Sequence, residues 1–192
     1  MGKRVEQVEE TRRRIVDATV DLHTTVGPAA TTISGIAEEA GVTRLTVYRH
    51  FPDLESLFVA CGQRWTEQHP PPDPALWREI PDLEDRARHG LGELYGWFQA
   101  RGDELLPIMR DREAMPLSTQ QEMAQEFQEF ADALVVGARM RGRARQRLRA
   151  TAGLVTNFWT WHSLAVEQGL DTDEAVDLAS RLFACSTGAS TS

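Results

Sequence analysis

The sequence predicts an all-α protein of about nine helices, and three observations carry that expectation. Apolar residues recur at spacings of three and four through most of the chain, which is the periodicity of amphipathic helices. No strand-like alternation of useful length interrupts them. His69-Pro-Pro-Pro-Asp-Pro74 cannot be helix interior, because consecutive prolines lack N–H donors and force extended geometry, and it marks a boundary between two helical parts. The chain therefore divides into residues 1–68 and residues 69–192, each helical.

The individual elements follow from punctuation and pattern. A first helix is expected from about Glu9 to Thr25, with Ile15, Ala18, Leu22 and Val26 on one face and Gly27 as its left-handed cap. A second opens near Thr32, whose hydroxyl can cap free backbone N–H groups. A third spans about Thr43 to Arg49. A fourth starts after Pro52, capped by Asp53, with Leu57, Phe58, Cys61 and Trp65 as its buried stripe. Beyond the prolines, helical stretches are expected near 82–100, 103–113, 118–136, 143–168 and 172–185. Cys61 and Cys185 both fall in apolar helical patterns and are expected to be small buried hydrophobes.

The segment Ala37-Glu-Glu-Ala-Gly41-Val-Thr-Arg-Leu-Thr-Val-Tyr48-Arg-His-Phe51 reads as a short helix, a glycine turn and a second helix. Gly41 supplies the positive φ that the turn demands. Ile36, Ala37, Ala40, Val42, Val47 and Phe51 fill the face between the helices. Thr43, Arg44, Thr46, Tyr48, Arg49 and His50 are left to point mostly outward. Such a concentration of hydrogen-bonding side chains on one short helix suits a DNA groove, so a helix-turn-helix reader is expected.

From Thr11 to about Ala60 the chain resembles the DNA-binding domain of the TetR family of bacterial transcriptional regulators. Thr11, Ile15, Ala18, Leu22 and Gly27 carry the first part of the resemblance. Thr32, Ile36-Ala37, Ala40-Gly41-Val42, Thr46-Val47-Tyr48, His50-Phe51 and Leu57-Phe58 carry the rest. Three positions depart from the family pattern. His23 stands where an aromatic core residue is usual, Leu45 where a small residue is usual, and Leu54 where many members have a phosphate-binding lysine.

The resemblance implies that the second helix crosses the DNA backbone while the third enters the major groove. Thr32 would then bond a phosphate, and Ser34 a base edge or a phosphate. Arg44 is the residue best suited to direct readout, because a guanidinium can bond guanine O6 and N7 together. Thr43 and Thr46 would meet phosphate or a thymine methyl, with Leu45 between them on the same DNA-facing helix. Tyr48, Arg49 and His50 would hold the backbone and set register. The resemblance further implies a homodimer on a palindromic operator, a repressor released by a small-molecule effector. Its last two long helices would build a four-helix bundle with their counterparts. The effector, apolar or aromatic in character, would lie among helices four to eight. Trp97, Met109, Phe127, Phe158, Trp161 and His162 are the candidate lining residues there, although periodicity does not separate pocket from core.

Charge distribution fits a selective reader. The net charge is −8, yet residues 1–51 hold seven Lys/Arg against seven Asp/Glu. The remaining residues hold fourteen against twenty-two and carry the whole deficit. An acidic body repels the phosphate backbone and disfavours sequence-blind binding. The consecutive Arg12, Arg13 and Arg14 suit either phosphates or the neighbouring Glu9, Glu10 and Asp17. The alternating arginines from Arg139 to Arg149 are expected to pair with the acidic stripe Glu122, Glu126, Glu129 and Asp132. Gly137 and Gly142 should keep them off one continuous helix.

Other classes find no footing. There is no Gly-x-Ser-x-Gly elbow, phosphate-binding glycine loop or His-Glu-x-x-His, so no catalytic residue is assigned and an enzyme is not expected. The five histidines show no metal-ligand spacing, and no cofactor is expected. No apolar run approaches the ~20 residues that span a bilayer. The start Met-Gly-Lys-Arg-Val-Glu lacks an apolar signal core, so a cytoplasmic protein with no membrane partner is expected. The competing reading is a small-molecule-binding or interaction protein of the same fold that no longer reads DNA, with Leu54 and the acidic body in its support.

Overall fold

The computed structural model describes residues 2–187, and no strand occurs among them. The described residues form ten α-helices: α1 Gly2–Thr25, α2 Ile33–Glu39, α3 Arg44–His50, α4 Leu54–Gln68, α5 Pro74–Trp77, α6 Leu83–Arg110, α7 Leu117–Val135, α8 Gly142–Val155, α9 Phe158–Trp161 and α10 Thr172–Thr187. A 3-10 turn at Arg112–Ala114 precedes α7, and a π-helical stretch at His162–Glu167 follows α9. Two compact units emerge, Met1–Pro70 with Asp103–Glu122, and Pro71–Gly102 with Met123–Ser192.

The first unit is built on α1. Ile15, Val16 and Ala18 from α1 meet Ile36, Ala37 and Ala40, then Val47, Phe51 and Leu57, in one core with Leu22, Ile33, Val42 and Ala60 at its edge. Each apolar helix face is thereby removed from water, which is the main favourable term available to short helices. α4 packs along α1, and Arg64 Nε donates to Asp17 Oδ1 at 2.9 Å across that contact. Of the stripe expected on α4, Leu57 and Cys61 are buried whereas Phe58 and Trp65 are half-buried. Trp65 Nε1 donates to Glu104 Oε2 at 3.0 Å.

α1 starts at Gly2 and not near Glu9. Residues 2–10 are all exposed, so their helix has no apolar stripe by which periodicity could reveal it. At the other end the N–H groups of Val26 and Gly27 both donate to Leu22 O, at 3.0 and 3.1 Å. Val26 therefore lies past the last turn and points to solvent instead of completing the core stripe. Gly27 adopts φ +94°, the left-handed cap expected of it. Its open face is occupied. Asp111 Oδ2 accepts from Ala29 N at 3.1 Å, and Arg110 Nη2 donates to Val26 O at 3.0 Å. Arg110 and Asp111 also bond each other at 2.7 Å. The Arg110 bond, supplemented by the Ala29 N–H, holds the Asp111 carboxyl below the usual carboxylate range.

In the second unit α6 is capped by Asp82, whose Oδ1 accepts from Glu84 N and Asp85 N at 2.9 Å each. The two stretches expected at 82–100 and 103–113 are one helix. Gly102 does not break it; a Cβ there would come within 2.6 Å of the Trp161 ring, so the glycine permits close approach. Pro107 forfeits one rung, yet Asp111 N still donates to Pro107 O at 3.1 Å and the helix resumes. Gly90 plays the same part as Gly102 beneath Trp77, which is fully buried, stacks on Phe130 and donates from Nε1 to Glu93 Oε2 at 2.6 Å.

The buried Arg86 donates to Ile80 O at 2.8 and 2.6 Å and to Val136 O at 2.6 Å. A cation over the last carbonyls of α7 complements that end of the helix dipole. The stretch expected at 143–168 is broken into α8, α9 and the π-helical segment. Tyr95 Oη donates to Val155 O at 2.8 Å, and the Asn157 side chain accepts from Trp159 N at 2.9 Å to start a new turn. Gly137 and Gly142, at φ +77° and +56°, separate α7 from α8 as expected. Arg149 Nη2 meets Asp132 Oδ1 at 2.7 Å, one of the anticipated arginine–acid pairs. α8 and α10 pack together. Cys185 on α10 is exposed, against the expectation of burial.

Candidate nucleic-acid interface

α2 begins where Thr32, in extended conformation, accepts Gly35 N on its hydroxyl at 3.0 Å. It ends with Ala40 N donating to Ile36 O at 2.9 Å. Gly41 turns the chain at φ +62°, and Val42 N closes the turn on Ala37 O at 2.8 Å. The Arg14 guanidinium, reaching from α1, donates to the carbonyls of Ala40 and Gly41 and so pins the turn. Thr43 then caps α3, its Oγ1 accepting Thr46 N at 3.2 Å. These caps satisfy N–H groups that no helical carbonyl can reach.

The outer face of α3 presents Arg44, Leu45, Tyr48 and Arg49 to solvent. Among the described residues, Arg44, Tyr48 and Arg49 make no hydrogen bond or ion pair. Leu45 is 78% exposed, an unusual position for a leucine. Thr46 is half-buried and its hydroxyl lies 2.9 Å from that of Thr43. Such a pair keeps one O–H for an outside acceptor. Thr32 and Ser34 are exposed on the edge of α2. His50 is half-buried, and burial followed by the charges of Arg49 and Arg12, against Glu9, lowers its pKa. The structure thus brings the expected residues onto one capped helix and its neighbour.

Of the three α1 arginines, Arg13 takes the neighbouring acids while Arg14 and Arg12 turn to other groups. Arg13 binds Glu10 at 2.8 Å and Asp17 at 3.5 Å, Arg14 binds the turn carbonyls, and Arg12 lies 4.5 Å over the Phe51 ring. At the first departure from the family pattern, His23 is buried in the core. At the third, Leu54 opens α4 and is exposed instead of extending the buried stripe.

In the second unit an aromatic cluster surrounds the buried Phe98. Trp97, Phe127, Phe158 and Trp161 lie 5.5–6.2 Å from its centroid. Phe158 and Trp161 are buried, whereas Trp97, Phe127 and His162 are half-buried. His162 lies 5.9 Å from Phe158, and its Nδ1 is 3.7 Å from Glu167 Oε1, beyond hydrogen-bond reach. Trp161 Nε1 is buried with no hydrogen-bond partner. Met109 is half-buried and belongs to the first unit. Phe98 organises the group; its full burial made it indistinguishable from core in the sequence. Among the described residues no helix is long and apolar enough to cross a membrane, and no group of three or more His, Cys, Asp or Glu could hold a metal.

A capped helix with free hydrogen-bonding side chains, set by a glycine turn against a second helix, defines the helix-turn-helix transcriptional regulators. Residues 15–61 match the family described as bacterial regulatory proteins, tetR family. This match covers the helix-turn-helix and its flanking helices, so residues 15–61 are similar to the DNA-binding domain of that family. It is 42% identical over 69 residues to the HTH-type transcriptional regulator SrpR of Pseudomonas putida, a match covering 35% of this chain and 31% of that protein. The chain thus matches about a third of that relative's length. A tetR-family regulator from Streptomyces coelicolor superposes with TM-score 0.61 at 20% identity, over 93% of this chain and 79% of that one. NalD, the secondary repressor of the MexAB-OprM multidrug efflux pump in Pseudomonas aeruginosa, superposes with TM-score 0.56 at 22% identity, over 94% and 97%. Each of these proteins is described as a transcriptional regulator or repressor.

Proposed function

We propose that the protein is a homodimeric, cytoplasmic repressor that binds a palindromic operator and releases it on binding a small-molecule effector. The observation that carries DNA reading is the outer face of α3, where Arg44 and Arg49 stand exposed without internal partners. A guanidinium left unpaired on a rigid, capped helix is preorganised for an external anion or a guanine edge. Residues 1–68 serve as the reading domain, with contacts from Thr32, Ser34, Thr43, Arg44, Leu45, Thr46, Tyr48, Arg49 and His50. Residues 69–192 serve effector binding and dimerisation.

Two further observations support the rest of this reading. α10 buries Ala175, Val176, Ala179 and Phe183, yet Leu178 and Leu182 remain exposed one turn apart on another face. A helix with a second apolar face suits a symmetric partner. The aromatic cluster around Phe98 contains a buried, unpartnered indole N–H on Trp161. A flat apolar or aromatic effector with one acceptor would satisfy that donor. NalD, which shares the fold, is a repressor. Operator and effector would each favour a different global state, which is allostery in the thermodynamic sense.

The test is a mobility-shift assay on DNA flanking the protein's own gene, followed by a footprint. A protected palindrome supports the proposal. Absence of any shift, together with binding of apolar small molecules, would instead make the chain a ligand-binding protein of the same fold.

A further inference from the structure

The first two and a half turns of α1 bury nothing, since residues 2–10 are all exposed. Short stretches of helix without packing are marginal in water, so the overhang lacks a reason within its own domain. It lies beside the end of α3. Between the two runs a groove of about 580 Å³, lined by Arg4, Gln7, Val8, Thr11, Arg49 and His50. Thr11 spends its hydroxyl on Gln7 O at 2.8 Å. The other polar groups keep their donors: two guanidinium forks, one amide and one imidazole N–H.

The charges are as telling as the donors. Arg13 and Arg14 on the same helix are committed to internal acceptors. Among the described residues, Arg4 and Arg49 have no ion pair at all. The positive charges of Arg49 and Arg12 outweigh Glu9 in their effect on His50. The groove therefore gathers unpaired cations around several N–H donors and excludes little water. Such a site suits an anion with several acceptor oxygens, that is, a phosphate. Two of its residues, Arg49 and His50, close the helix that the proposed function puts against DNA. The half-exposed Val8 adds an apolar wall suited to a sugar.

We propose that this groove seats a backbone phosphate of the bound DNA, so that Arg4 on the overhang supplies a contact outside the helix-turn-helix itself. The inference rests on the DNA-reading function proposed above. It explains why helix persists where no core requires it: the overhang holds Arg4 opposite Arg49.

The experiment compares wild type, Arg4→Ala and Arg4→Lys by fluorescence anisotropy at several salt concentrations. One duplex comes from the DNA flanking the protein's own gene, and one is unrelated. Loss of one phosphate contact should reduce the slope of log affinity against log salt by about 0.9 in Arg4→Ala, equally on both duplexes. Arg4→Lys should restore it. Because Arg4 is exposed, circular dichroism should show all three proteins folded alike. An unchanged slope in Arg4→Ala, with preference for the flanking duplex intact, overturns this inference and leaves the repressor reading standing. A reduced slope without any preference between duplexes keeps the phosphate seat and removes the operator reading. Wild-type protein that binds neither duplex overturns both.

Discussion

His23 and Cys61 meet in the core between α1 and α4, with imidazole Nδ1 3.5 Å from the thiol Sγ. The same ring lies against Phe58 at 4.6 Å between centroids. Burial lowers the His23 pKa to about 4 and, as the larger of two causes, raises that of Cys61 to about 12. Both groups are therefore neutral near pH 7, and the thiol is a poor nucleophile there.

Acid should weaken the fold through His23. Its folded pKa lies below the unfolded value near 6.5, so the unfolded chain binds the extra proton first. The stabilisation is fully present above about pH 6.5 and is lost as pH falls toward 4. The loss should reach on the order of 3 kcal/mol. His23→Phe, which keeps a ring beside Phe58, should flatten that limb. Urea unfolding between pH 4 and 7 measures both; parallel pH profiles for the two proteins would remove His23 as the cause.

Arg44→Ala should weaken operator binding by about 1–3 kcal/mol, the range for a bidentate base contact. Binding to random DNA should hardly change. Titrations on both DNAs decide it, since equal losses would reduce Arg44 to a phosphate contact.

Leu45 should read thymine. The major groove offers one apolar group, the thymine 5-methyl, and Leu45 is the apolar side chain most exposed on α3. Replacing thymines by uracil, one at a time, removes only that methyl. At one operator position the change should cost about 0.8 kcal/mol, roughly fourfold in affinity. Leu45→Ala should be indifferent to the same replacement. A uracil scan without effect at every position would rule the contact out.

Dimerisation should fail in the double variant Leu178→Asp, Leu182→Asp. Two leucines that lose burial at an interface weaken association by about a hundredfold or more. Sedimentation should show monomers while circular dichroism shows unchanged helix. A dimer that survives places the interface elsewhere.

The caps and the turn of the helix-turn-helix were legible in the sequence, because their signals are local. Thr32, Thr43 and Asp53 each cap the helix that their chemistry announces, accepting Gly35 N, Thr46 N and Ser56 N. The turn's positive φ falls on Gly41, where any side chain would be strained. What stayed illegible depends on partners distant in the chain. Gly102 reads as an interruption of α6 until Trp161 is seen against it. The break after Val155 depends on Tyr95, sixty residues away. Leu54 suggested an extension of the α4 stripe from its spacing to Leu57 and Phe58, yet a first-turn residue can share that spacing and still face water. In the second unit, periodicity could mark Phe158 and Trp161 as inward but could not show that they converge with Trp97 and Phe127 on one ring.

Under the proposed effector release, substitution of Gly27 should separate responsiveness from affinity. Any side chain at that position would displace Asp111 and Arg110, and would also be strained at φ +94°. The end of α6 would then come loose from the loop that leads into α2, while the core around Val47 and Ile36 stayed intact. A regulator of this kind would still grip DNA but would be deaf to whatever moves α6. Random mutagenesis selected for unresponsiveness should therefore return positions 27, 110 and 111 beside those around Phe98, and such alleles would be dominant if deaf and hearing subunits share one dimer.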